Sequence, residues 1–174
     1  RLENEGVELL VVCDPDGDGI GELKAAVKNV ITVKVRHRLD RKAVKKYVGL
    51  IDQFKPQVVY AASNKTLSAT LIATRKCDIK VVGYRGTMGH LSHFDPASWL
   101  TYLHPRLSHI VCVSDAVKGY LSEKMHIREQ KLTTIYKGHD VKWYENQPDV
   151  DLVEIGVPKH AFVVAFVGNM RPVK

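Results

Sequence analysis

Short runs of β-branched residues alternate with amphipathic segments along most of the chain, and this alternation limits the possible folds more than any other feature. Residues 8–13 (ELLVVC) have the apolar continuity of a buried strand. Residues 21–28 suit a short helix, and residues 31–36 alternate apolar with basic side chains as an edge or half-buried strand does. Asp40 makes a natural N-cap, after which Val44, Tyr47, Val48, Ile51 and Phe54 keep helical spacing as far as Pro56. The pattern then repeats. Residues 57–61 read as a strand and 66–76 as a helix with Leu67, Leu71 and Ile72 inward. Residues 79–83 read as a strand, followed by a glycine-bearing loop over 84–94. Asp95-Pro96 opens a helix through Trp99, Leu100 and Leu103. A strand over 110–113 leads to a helix capped by Ser114 or Asp115 and carrying Val117, Tyr120, Leu121 and Met125. Residues 132–136 form a last strand, closed by Lys137-Gly138.

Units of this length predict an α/β fold with a parallel sheet covered by helices on both faces and joined by right-handed crossovers. Ligands of such sheets bind beyond the carboxyl ends of the strands. Function is therefore expected in the segments 14–21, 63–65, 84–94, 114–118 and 137–140. From 142 to 160 the periodicity fails, and Pro148, Gly156 and Pro158 punctuate a linker. Residues 161–167 (AFVVAFV) then read as a strongly apolar strand. The expected organisation is one domain over 1–145, a linker over 146–160, and over 161–174 the first strand of a second domain that is cut short.

Several classes fall away on composition. No apolar run approaches the ~20 residues that span a bilayer, and residues 1–10 lack the basic-then-apolar plan of a signal peptide. Cys13, Cys77 and Cys112 are odd in number and far apart. Two of them lie in strand-like runs, which favours reduced thiols in a cytoplasmic protein over a disulfide framework. The formal charge of +7 and pI of 9.3 suit either an anionic partner or a solvated basic face, since the cations are spread out and form no long tract.

The motifs narrow the choice. Asp14-Pro15-Asp16-Gly17-Asp18-Gly19 looks like the opening of a calcium loop, but the twelfth position, where a bidentate Glu belongs, is Ala25. A solvated strand-to-helix turn explains it better. Gly17, Gly19 and Gly21 do not complete a dinucleotide fingerprint, because Glu22 stands where the last glycine should be. His90, His93 and Asp95 could ligate a metal, but Asp95 is better used as a cap. The loop 84–94 is better suited to closing over a polar ligand with Arg85, Thr87, His90, Ser92 and His93. The backbone amides that follow Ser114 can hold an anion or form a plain cap.

Taken together, IVCVSDAVKGYL (110–121), TTIYKGHDVKWY (133–144), VVAFVGNMRPVK (163–174) and VVGYRGTMGHLSHFDPASWLTYLHPRL (81–107) resemble the acceptor-side, N-terminal domain of GT-B glycosyltransferases of the family 4 type, the last being similar to one bacterial subgroup. The resemblance runs from Glu8 onward. It implies a Rossmann-like fold whose first strand-helix unit is missing, the chain starting near the end of that helix. It implies a bacterial enzyme that moves a hexose from a nucleotide-sugar donor to a sugar or lipid-linked acceptor in glycan or lipopolysaccharide synthesis. Arg85, Thr87, His90 and Ser114, with Asn64 and Lys65 next, become the expected acceptor and cleft residues. Lys174 falls at the family's phosphate-contacting lysine. Asn169 stands where an arginine is usual, and Arg171 two residues on is its substitute. No metal or other cofactor is implied, no general base is assigned, and nucleic acid is not an expected partner. The implied location is cytoplasmic, at the inner face of an anionic membrane.

Three further expectations follow from the same reading. Lacking the donor contacts, this chain alone should be inactive. A sheet without its first strand should hold an open slot, which residues 161–167 could fill in their own chain or in a second copy by strand exchange. The competing readings are a sugar-nucleotide epimerase of the same architecture and a non-catalytic sugar- or nucleotide-binding module.

Overall fold

The computed structural model describes residues 3–138, Glu145 and 151–164. The chain divides into two compact units, 1–137 and 138–174. The first carries strands β1 (Leu10–Cys13), β2 (Asn29–Thr32), β3 (Val58–Ala61), β4 (Lys80–Arg85), β5 (Leu107–Cys112) and β6 (Leu132–Thr134). Between them run helices α1 (Ile20–Ala26), α2 (Arg41–Phe54), α3 (Asn64–Ala73), α4 (Pro96–Trp99) and α5 (Asp115–Gly119). Every strand pairing is parallel, as the strand-helix alternation predicts.

The strands form two sheets, β1-β2 and β3-β4-β5-β6. Strands β1 and β3 each have one edge in a ladder and line, from either side, a cavity of about 660 Å³. Tyr47, Leu50, Ile51 and Phe54 of α2 line it as well. The sheet is thus open along a slot with apolar walls and free backbone edges, as expected.

The helices start where the sequence supplies a cap. The Asp40 carboxylate accepts from the backbone amides of Lys42 (3.0 Å) and Ala43 (3.1 Å) at the start of α2, and from that of Arg36 (3.1 Å). One side chain thereby ties the end of the β2 segment to the helix that follows. Ser63 and Thr66 form a reciprocal capping box at the start of α3. Helix α3 is buried almost all round, with Leu67, Ser68, Ala69, Thr70 and Leu71 at most 3% exposed. One cluster packs Leu67 and Leu71 with Val81, Leu107, Ile110, Cys112, Val117 and Leu121. A second packs Val33, Val35, Ala43 and Tyr47 with Ala69 and Ala73. Burial of a leucine of this kind contributes about 2 kcal/mol. Gly83 of β4 lies directly under α3: a Cβ there would meet Leu67 at 3.2 Å and Leu107 at 3.5 Å. The β4–β5 register slips between Val81 and Val82, where the Val81 amide donates instead to the Ser108 hydroxyl at 3.2 Å.

Some predicted elements end early. The alternation over 31–36 is real, since Val33 and Val35 are buried. The ladder nevertheless stops once the Val33 amide has bonded to Cys13 (2.9 Å), because β1 ends there. Helix α4 closes at Trp99, and the residues to Leu103 form tight turns, as suits a chain heading into His104-Pro105. The helix predicted from Ser114 to Met125 is α5 followed by a wider π-type turn, Tyr120–Lys124.

In the second unit, Asp151 caps a 3₁₀ turn, Leu152–Ile155, by accepting from the Val153 amide at 2.9 Å. The predicted strand over 161–167 is not formed in its described part: residues 161–164 carry no ladder pairing, and Phe162 and Val164 are 94% and 83% exposed. Large apolar side chains with nothing packed on them cannot hold a buried strand. Arg171 and Lys174 lie outside the described residues, as do residues 146–150 of the predicted linker.

Candidate functional site

Because β3, β4, β5 and β6 run parallel and side by side, their carboxyl ends bring four loops to one rim. The loop after β4 is held at both ends. Arg85 is 4% exposed. Its Nε donates to the Thr87 carbonyl at 2.8 Å, another guanidinium nitrogen donates to the Gly89 carbonyl, and its Cζ lies 4.8 Å from the centre of the Tyr102 ring. Tyr102 in turn donates to the Tyr84 carbonyl at 2.6 Å. Burial pushes the Tyr102 phenol up from its ordinary range, and the neighbouring Arg85 cation opposes that shift. At the far end, Asp95 accepts from the Ala97 amide (3.0 Å) and the Ser98 hydroxyl (3.1 Å). The Ser98 hydroxyl accepts from the Ser92 amide at 3.1 Å. These bonds hold the Asp95 carboxyl below the usual range, the Ala97 amide foremost.

Between these anchors the chain turns through Gly89 and His90, both left-handed at φ 77° and 56°. Left-handed backbone is uncommon outside glycine and concentrates at functional positions. Thr87 and His90 are exposed on this turn. His93 takes no part in a metal cluster; its ring lies 6.1 Å from that of His126 and edge-on to Trp99. Among the described residues, no three His, Cys, Asp or Glu side chains come together as metal ligands would.

The predicted residues therefore fall into distinct roles. Thr87 and His90 present polar groups to the rim, whereas the guanidinium of Arg85 is spent on the loop's own carbonyls. Ser114 caps α5 by accepting from the Val117 amide at 3.4 Å. Asn64 and Lys65 open α3 at the end of β3, next to the capping box. Lys65 lines a cavity of about 170 Å³ with Asp14, Ser63 and Thr66 at the carboxyl end of β1.

Two contacts of the rim escaped the sequence reading. Tyr136 donates to the Asp115 carboxylate, which lowers the Asp115 pKa and raises that of the Tyr136 phenol. Lys137 lies 5.9 Å from the centre of the Tyr84 ring. Strand-end position alone pointed to Lys137; nothing in the sequence pairs Tyr136 with Asp115, 21 residues away.

Parallel strands, intervening helices and a polar rim at the carboxyl ends define a Rossmann-like unit of the kind found in GT-B proteins. The chain belongs to Glycosyltransferase Family 4, whose family model matches residues 1–143. Among solved structures, a glycosyltransferase from Rickettsia africae superposes with a TM-score of 0.65 at 19% identity, covering 91% of this chain and 44% of that one. Anabaena HepE in complex with UDP and glucose gives 0.60 at 22% identity, over 80% and 39% of the two chains. The UDP-GlcNAc 2-epimerase of Methanocaldococcus jannaschii gives 0.58 at 16%, over 77% and 39%. At such identities the likeness is one of fold. The chain spans less than half the length of each of these proteins. No curated protein sequence matches it.

Proposed function

We propose that the whole protein is a hexosyl-type glycosyltransferase. In this reading it moves a sugar from a nucleotide-sugar donor to a sugar or lipid-linked acceptor in bacterial glycan or lipopolysaccharide synthesis. The rim at the strands' carboxyl ends is its acceptor side. Membership of Family 4 over residues 1–143 carries the reading. It is supported by the exposed Thr87 and His90 on a loop whose two ends are pinned.

In the reaction the bond between the sugar's anomeric carbon and the donor diphosphate breaks, and the acceptor hydroxyl forms the new bond and loses its proton. Charge builds on the departing diphosphate, so fixed cations beside it stabilise the transition state. Arg171 and Lys174 are proposed for that role. The rim positions the acceptor hydroxyl for attack through Thr87, His90, Asn64, Lys65 and Ser114. Arg85 is a positioning residue that shapes the loop. No cofactor enters. The protein works in the cytoplasm, against the inner membrane face where a lipid-linked acceptor resides. The open slot beside β1 and β3 also supports a homodimer in which residues 161–167 of one copy enter the slot of another; a monomeric mass by light scattering at high concentration would rule that out.

The test is product analysis. The whole protein, given nucleotide hexoses and a bacterial core oligosaccharide, should return an acceptor one hexose heavier by mass spectrometry. An epimerase would alter the nucleotide sugar with no acceptor present. A binding module would return both reactants unchanged. The 174-residue chain alone should give no transfer, because it spans less than half the length of the solved glycosyltransferase it superposes on.

A further inference from the structure

An arginine side chain drawn partly into a fold normally spends its donors on carbonyls or carboxylates. Arg85 does so, and so in part does Arg106, whose guanidinium donates to the Cys77 carbonyl at 2.7 Å. Arg38 does not. Its Nε is buried without a hydrogen-bond partner. Its side chain enters no hydrogen bond or ion pair among the described residues. The residue as a whole is half-buried. Its two terminal nitrogens are not enclosed as Nε is, so the fork opens outward. A buried donor left unmade is costly, and nothing in the fold is stabilised by it in return. The position of Arg38 is fixed by its surroundings. It lies in the loop that leaves the carboxyl end of β2 and leads to the Asp40 cap of α2. Its carbonyl accepts from the Ser68 hydroxyl at 2.9 Å. Ser68 is fully buried in α3, so this backbone is tied to the helix that opens at the end of β3. The Arg38 cation is also near Asp95, whose carboxyl is lowered first by the Ala97 amide and to a lesser degree by this cation. The two form no ion pair, because Asp95 is already bonded to Ala97 and Ser98. Arg38 thus stands beside the far anchor of the loop that presents Thr87 and His90, with an unused donor fork.

We propose that Arg38 is the residue by which the rim selects an anionic acceptor, a saccharide that carries a phosphate or carboxylate group. The two open nitrogens can take an oxyanion end-on and bidentately. The buried Nε marks a fork that is already partly dehydrated, where such a bond is stronger than at a solvated side chain. A neutral saccharide gains nothing from it, so the residue discriminates by charge. Thr87 and His90, on the loop that Asp95 anchors, are left for the saccharide's hydroxyls. This inference rests on the reading of the rim as an acceptor side and adds the chemical class of the acceptor, but its test does not require sugar transfer.

The isotope-labelled chain would be titrated with glucose 6-phosphate, glucuronate, glucose, inorganic phosphate and acetate. The Arg38 Nε–Hε signal, assigned by its loss in Arg38→Gln, would be followed by NMR. At least one of the charged sugars should shift it saturably, the more effective one identifying the anion, and glucose should not. Arg38→Gln should bind that sugar at least about tenfold more weakly. Its unfolding in urea should be unchanged, because the side chain holds nothing together. Arg38→Lys keeps the charge without the fork and should fall between the two. An equal response to glucose, or none to either charged sugar, would overturn the proposal. So would a free anion that binds as tightly as the matching sugar, an Arg38→Gln variant that binds like the parent, or one that unfolds at markedly lower urea. Charged-sugar binding through Arg38 in a whole protein that transfers no sugar would uphold the subsite while refuting the glycosyltransferase reading. Sugar transfer that Arg38→Gln leaves untouched would do the reverse.

Discussion

At the scale of single residues, Arg85 and Asp40 show how buried charge can serve shape. Among the described residues the Arg85 guanidinium has no carboxylate partner and is satisfied by two carbonyls and an aromatic face. Arg85→Met keeps the length and removes the donors. It should cost about 2–4 kcal/mol of stability in urea unfolding, given roughly 1.5–3 kcal/mol for each charge-assisted bond less some relaxation. Acceptor affinity should fall with it. His90→Ala should instead leave unfolding unchanged and weaken acceptor binding about tenfold, since the side chain is exposed and makes no hydrogen bond among the described residues. Asp40 has its pKa lowered, first by the Arg36 amide and then by that of Ala43. A lowered folded-state value means a contribution fully present above the ordinary carboxylate range and lost as the pH falls through the depressed one. Thermal stability should therefore drop with acidification below about pH 4, and Asp40→Asn should be less stable at neutral pH and flatter in that window.

At the scale of elements, the fit of α3 on β4 is the tightest local constraint. Gly83→Val would drive a side chain into Leu67 and Leu107, and Leu67→Ala would leave a cavity worth about 2–5 kcal/mol. Both should unfold at markedly lower denaturant, Gly83→Val through overpacking. Order and type of the elements were legible because strand and helix periods differ and because Asp40, Asp95 and Ser114 all stand where a cap is needed. Ends were less legible. The extended segment after Thr32 keeps its alternation, yet a ladder depends on the partner strand, and β1 has already turned away. The apolar run 161–167 has the pattern of a buried strand, yet its described part, 161–164, carries no ladder pairing; pattern alone does not supply the surface that would bury it. The slot makes its own prediction. In hydrogen exchange, amides of β1 and β3 that face the cavity should exchange far faster than those of β4 and β5, which have neighbours on both sides.

At the scale of the whole molecule, the charge and the loops tell different parts of one story. The overall balance of +7 left a solvated face and an anionic partner equally open. Only the fold shows that the acid among the cations of 34–46 is internal and that one of those cations, Arg38, keeps its guanidinium unused. The candidate site was legible to the extent that strand ends were: Thr87, His90, Asn64, Lys65 and Ser114 all lie there. What the sequence did not reveal was which polar groups are spent internally, as Arg85 is, and which distant groups meet, as Tyr136 and Asp115 do. Those facts belong to three-dimensional packing.

The central claim is that this rim receives a saccharide acceptor. It is tested most directly by titrating the isotope-labelled chain with short bacterial core oligosaccharides and following amide shifts by NMR. Saturable shifts should gather at Thr87, His90, Asn64, Lys65 and Ser114. Shifts confined to the amino ends of the strands, or none with any saccharide, would contradict it.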